Sequence, residues 1–323
     1  MTTPAYMRIR PWQHLLYLVL LAFGCAILGV LISLVVIRVI YGSAMVMPVI
    51  TMTDNGDPHF LGAFRIFLGL GNTLFTFFVS AVVFAQFISG EPQRYFRTRT
   101  YVPPVLFLVT VAIMVFMLPV IDITAYFNQK MTLPAGLQGL EKWIRDAEKQ
   151  NEAVVKMVLD MKNTGDLLLS VFIVGILPAL SEEFFFRGCM QTIFMRWTKN
   201  VHATVWITAF IFSFIHFEFL GFVPRFLLGA ALGYVFAWSG SIWPSVLLHC
   251  LNNSISVVGY YLYQRKLIAA DPDSNTPMFS QMWVYVVCAI AAVGVMLLFR
   301  KITIDKHLAT DNGEELDQAV HID

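Results

Sequence analysis

Apolar residues fall in eight runs separated by shorter polar stretches: Leu15–Ile40, Ile66–Ile88, Val105–Ile121, 167 to beyond 186, Val201–Phe219, Phe226–Trp238, Ile242–Tyr263 and Met282–Phe299. A helix needs about 20 mainly apolar residues to cross a bilayer, and these runs reach or approach that length. The third and sixth are the shortest. The pattern predicts an all-α fold, a polytopic membrane helix bundle of about eight transmembrane helices. The longest interruption, Asp122–Asp166, is mixed in charge, yet it keeps Trp143, Ile144, Ala147, Val154, Met157, Val158 and Met161 at helical spacing. It is read as an amphipathic helix on the outer face. Four regions follow: 1–166, the first spans and this outer loop; 167–263, core helices; 264–306, the last span; 307–323, a polar tail too hydrophilic to build a core.

Composition agrees with the pattern. The chain is 58% hydrophobic and 13% charged, against roughly 45–50% and about 25% in soluble domains. A net charge of +1 gives no reason to expect a nucleic-acid partner. Cys25, Cys189, Cys250 and Cys288 have no C-x-x-C spacing, so neither a disulfide framework nor a thiolate zinc site is indicated. The first apolar run is longer than the roughly 7–15 residues of a signal-peptide core and is read as a retained span. Basic groups set the orientation. Arg8 and Arg10, then Arg94, Arg97 and Arg99, then Arg196 and Lys199, then Arg300, Lys301 and Lys306 all fall on one side of an eight-span arrangement. Arg265 and Lys266 fall on the other side and count against this. The expected location is multi-pass in a membrane, with both termini cytoplasmic, and in the plasma membrane if the chain is bacterial.

Three runs carry polar groups that the first half mostly lacks. An ionisable group at mid-bilayer costs about 2.5–3.5 kcal/mol on insertion scales, so such groups face a bundle interior or a wet cavity. The fourth run holds Glu182, Glu183 and Arg187, the fifth His216 and Glu218, and the seventh His249, Asn252 and Asn253. If the fourth helix continues to Trp197, the turn near Lys199 closes a hairpin with Glu182 17 residues before it and His216 17 residues after. Both then lie roughly 25 Å from the turn, at about 1.5 Å per residue, and meet. Glu183 and Arg187 are four apart and share a helix face, so this glutamate pairs while Glu182 is left for a shared polar intramembrane cavity.

Peptide hydrolysis by water needs a base, a donor for the leaving amine and stabilisation of the oxyanion. Glu182 with His216 suits the first task, and His249 with Asn253 suits the oxyanion. Phe184–Phe186 and Phe212–Phe219 are expected to supply apolar walls. No serine or cysteine stands beside a base of its own, which favours water over an acyl-enzyme. Metal use stays open. Glu182, His216 and His249 are a zinc-type donor set, and a divalent metal such as zinc is one option, but H-E-x-x-H is absent.

These residues resemble a known family. "EEFFFR" (Glu182–Arg187) matches the E-E-x-x-x-R motif of the CPBP intramembrane proteases, "FSFIH" (Phe212–His216) their F-x-x-x-H motif, and "HCLNN" (His249–Asn253) their third motif. That family includes the Ras-converting CAAX prenyl endopeptidases and bacterial relatives tied to bacteriocin processing or immunity. The resemblance implies an intramembrane endopeptidase with Glu182 as base and His216 as its water-holding partner. It makes His249 and Asn253 the oxyanion donors, and Glu183 and Arg187 the support. The implied partners are the lipid bilayer and a peptide or protein substrate, lipidated in the best-known members. Two other classes fit the same polar groups: a non-enzymatic binding or immunity protein that retains the motif, and a proton-coupled transporter.

Overall fold

The computed structural model describes residues 10–53, 56–269, 271–272 and 276–305. Its long helices are α1 (Pro11–Tyr41), α2 (Phe60–Ser89), α3 (Pro104–Gln129), α4 (Gln138–Val158), α5 (Thr164–Thr198), α6 (Val201–Phe214), α7 (Phe219–Ser239), α8 (Ile242–Gln264) and α9 (Met282–Ile304), and no strand occurs among the described residues. Each of the eight predicted runs is helical, and the protein is a polytopic helical bundle. Six of these helices, α1, α2, α3, α5, α7 and α9, are long and apolar enough to cross a membrane. Of the two remaining predicted spans, α6 has only 14 residues. Helix α8 has the length, at 23 residues, but carries Ser245, His249, Asn252 and Asn253. The predicted polar tail and Arg8 lie outside the described residues.

Two boundaries differ from the sequence reading. Helix α3 runs on to Gln129 instead of stopping at Ile121. Its polar end faces protein: Asp122 accepts from the Tyr285 hydroxyl at 2.9 Å, and Asn128 is buried. Helix α6 stops at Phe214, although the apolar run continues to Phe219. His216 Nδ1 lies 2.6 Å from the Phe212 carbonyl, and Phe217 has φ +52°, which no continuing right-handed helix allows.

The fourth span is the axis of the molecule. Helix α5 has 35 residues and includes wide, i→i+5 turns at Val171–Ile176 and Phe184–Gln191. Such turns relieve a helix that cannot keep its regular ladder. Pro178 is one reason, because it has no N–H to offer the Val174 carbonyl four residues back. Around α5, an aromatic pile joins Phe77 and Phe78 of α2, Phe96, and Phe184, Phe185 and Phe186. Helix α7 packs closely on α5 and α6 through Gly229 and Gly233. A Cβ at Gly229 would stand 3.2 Å from the Phe212 ring, and one at Gly233 would stand 3.0 Å from Val205. Small residues at this spacing let membrane helices approach closely.

The amphipathic helix of the long loop is real. It is α4, joined to the bundle at its C-terminal end. There Val158 is buried, and the carbonyl of that residue accepts from buried Arg65 Nη2 at 2.7 Å. Trp143 and Leu140 stay exposed.

Candidate active site

Glu183 is the organiser. Its side chain and that of Arg187 are both 0% exposed, and Arg187 Nη1 reaches Glu183 Oε1 at 2.6 Å. Arg187 Nη2 donates to the Gly229 carbonyl at 3.1 Å, and its guanidinium lies 4.7 Å over the Phe212 ring. Glu183 Oε1 also takes His249 Nδ1 at 2.8 Å, and its Oε2 takes the Ser245 hydroxyl in a short bond. One carboxylate thus ties α5 to α8 directly and, through Arg187, to α7. A buried charge is tolerable only when paired and hydrogen-bonded in this way.

Glu182, one residue earlier and rotated about 100°, points elsewhere. Its Oε2 lies 3.9 Å from His216 Nε2 and 3.9 Å from His249 Nε2. That is too long for direct hydrogen bonds and suits a bridging water. The two rings are held from behind. A carbonyl only accepts, so His216 donates from Nδ1 to Phe212, and when the ring is neutral its Nε2 keeps a lone pair on the side of Glu182. His249 likewise gives its Nδ1 hydrogen to Glu183.

Asn253 Nδ2 approaches the Val174 carbonyl at 3.4 Å, the carbonyl to which Pro178 has no N–H to offer. The Asn253 oxygen accepts from Asn252 at 3.0 Å. Glu182, His216, His249 and Asn253 all line one cavity of about 330 Å³, together with Asn252, Arg225, Gly221, Phe212, Ile121, Val174, Pro224 and Leu228. The structure therefore brings the four proposed reaction residues together, with Glu183 and Arg187 directly behind. Phe184–Phe186 do not line this cavity, contrary to expectation. Phe184 and Phe185 pack toward α2 and Phe96, Phe186 packs against Phe77 and edge-on against Phe212, and only Phe212 of the expected phenylalanines borders the cavity.

Three features were missed. Ser245 carried no signal, being one serine among many until the fold sets it against Glu183. Arg225 lay beyond the motifs, yet it borders the cavity and pairs with Glu218 in a short ion pair. Asn128, read as loop, clamps the α6–α7 connection. Its Nδ2 donates to the Phe219 carbonyl at 2.8 Å, and its Oδ1 accepts from Val223 N–H at 3.1 Å. From α4, Glu148 Oε1 accepts the Leu220 N–H at 2.5 Å. The segment carrying His216 is thus pinned from two other helices.

The donor set Glu182, His216 and His249 has zinc chemistry, but among the described residues no three His, Cys, Asp or Glu side chains stand as a metal-holding group. Ligands at about 2.0–2.2 Å from a tetrahedral zinc would stand closer together than the two 3.9 Å separations found here. As placed, these side chains do not fit a metal.

Residues 164–255 match the family described as type II CAAX prenyl endopeptidase Rce1-like. This stretch of the chain resembles Rce1-like proteins. The match supports the family resemblance read from the three motifs. The Rce1-like segment starts at the first residue of α5 and contains every motif residue of the site, from Glu182 to Asn253. It supports a membrane-embedded endopeptidase of the CAAX-protease kind, acting on peptide or protein substrates. Asn128 and Glu148, which hold the α6–α7 connection, lie outside it. No curated protein and no solved structure matches the chain.

Proposed function

We propose that the chain hydrolyses peptide bonds within the membrane, with a water activated by Glu182. The observation that carries this reading is the placing of Glu182 Oε2 at 3.9 Å from two imidazole nitrogens whose opposite Nδ1 atoms are already engaged. A water held between Glu182 and His216 Nε2 gives its proton to Glu182 as its oxygen attacks the scissile carbonyl carbon. Glu182 then hands that proton to the leaving amine as the C–N bond breaks. No step passes through a metal.

The oxyanion faces His249 and the Asn253 amide. Donation from His249 Nε2 requires a doubly protonated ring, because the Nδ1 hydrogen already goes to Glu183. Glu183 and Ser245 hold that ring, and Arg187 holds Glu183. A lipidated substrate and cytoplasmic termini belong to the same proposal. The first rests on the Rce1-like match and the second on the basic loops.

The test uses purified protein in detergent with a peptide library, read by mass spectrometry. New termini should appear at a consistent bond, and cleavage should resist serine- and cysteine-directed covalent inhibitors. Inactivation by such a reagent in a protein lacking the four cysteines would point to an acyl-enzyme and against the water mechanism.

A further inference from the structure

We propose that Arg225 is the subsite for a carboxylate of the substrate. The proposal rests on the peptidase reading for its substrate class but not for its binding test. Among the described residues lining the cavity, Arg225 is the sole lysine or arginine, and it shares that cavity with Glu182, His216 and His249. Its Nη2 is engaged by Glu218. Its Nη1 is buried and has no hydrogen-bond partner. Leaving a buried guanidinium donor unmade is costly, and a charged donor more so than a neutral one. A guanidinium with one nitrogen paired and the other left without a partner is matched to a second carboxylate, whose oxygens accept from its planar fork in fixed geometry.

The surrounding chain is shaped to hold that group. Gly221 borders the same cavity, and a Cβ there would stand 3.3 Å from Arg225 Nη2 and 3.6 Å from Nη1. The guanidinium therefore lies against a bare Cα that any side chain would crowd. Asn128 and Glu148 pin the flanking turn, so the arginine is presented from a fixed platform. Ile121, Val174, Pro224 and Leu228 keep the neighbourhood apolar, where a charge-assisted hydrogen bond is stronger than in water. A structural ion pair with Glu218 explains Nη2. It does not explain an Nη1 left without a partner on a residue that borders the cavity of the reacting groups. The carboxylate has two sources, the free C-terminus of a peptide or an internal Asp or Glu.

The experiment measures binding without turnover. Glu182→Gln protein in detergent is incubated with three pools of apolar hexapeptides: free acids, C-terminal amides, and amides carrying one internal Asp or Glu. Retained peptides are counted by mass spectrometry. Free acids or Asp/Glu peptides should be retained about tenfold or more over plain amides, the effect of one charge-assisted hydrogen bond, and whichever pool wins names the source. Adding Arg225→Gln should erase the preference. Adding Glu218→Gln, which keeps the arginine and frees Nη2, should increase it. Should Arg225→Gln fail to fold, the Glu218→Gln comparison decides. Equal retention of all three pools by protein with Arg225 intact, including no retention of any, overturns the subsite. Because the base is absent throughout, failure of hydrolysis does not affect this result.

Discussion

Glu182 and Glu183 are adjacent, chemically identical and assigned opposite tasks by about 100° of helix rotation. Glu183 collects Arg187, His249 and Ser245 and is fully buried, while Glu182 opens onto the cavity. Removing one partner of a buried ion pair strands the other charge and costs about 3–5 kcal/mol. Arg187→Ala should therefore lower the melting temperature in detergent well below that of Glu182→Gln. Melting like the unsubstituted protein would contradict a buried pair. Ser245→Ala removes one donor to the same carboxylate and should cost less, about 1–3 kcal/mol, on the same melting scale. The Glu183–Arg187 pair was legible in the sequence because i,i+4 spacing is local. The level of Glu182 with His216 was legible by counting along a hairpin. Ser245 and Arg225 were not, since their partners are set by packing between helices. The Phe184–Phe186 run misled because apolar composition does not say which neighbour a helix face meets.

At the scale of elements, the site depends on where α6 ends. The sequence through Phe217, Glu218 and Phe219 stays largely apolar, so a helix was expected to continue. His216 instead caps the Phe212 carbonyl, and the chain turns. Asn128 of α3 and Glu148 of α4 then hold the turn. Asn128→Ala should leave the fold intact but slow cleavage by about ten- to a hundredfold, the effect of a small misplacement of a reacting group. An unchanged rate would show that the clamp does not position His216. Glu148 lies on α4, outside the spanning helices. Burial raises its pKa above the usual glutamate value, and nearby Glu218 adds to this, against lowering by the Leu220 N–H and by Arg225 and Arg145. With the folded pKa above the unfolded one, its stabilising contribution is complete below about pH 4.3 and is lost as pH rises through the folded value. Glu148→Gln keeps an acceptor for Leu220 and removes the charge. Its melting temperature relative to the unsubstituted protein should rise with pH across that window, whereas a pH-independent difference would contradict the assignment.

In the whole molecule, the cavity lies toward the end of the bundle where Glu148 of α4 meets the α6–α7 connection, away from the turn at Lys199. Ile121 near the end of α3, Val174 near the start of α5 and Gly221 at the start of α7 all border it. The helical class, the eight helical runs and the amphipathic loop helix were legible because apolar periodicity and run length dictate them. Whether α6 and α8 complete a crossing was not, since one is short and the other is filled with the polar groups that build the site. If the termini are cytoplasmic, Lys199→Cys in a cysteine-free background should label from the cytoplasmic side, and Ala153→Cys on α4 from the opposite side. Labelling of both from one side would overturn that orientation. The central claim is that Glu182 activates the attacking water, and it is tested most directly by the rate of peptide cleavage with Glu182→Gln. The amide preserves volume and removes the base, so melting should stay near that of the unsubstituted protein. The rate should fall by about 10²–10⁴. A folded Glu182→Gln protein that keeps more than about a tenth of the rate falls short of that range and would contradict the account.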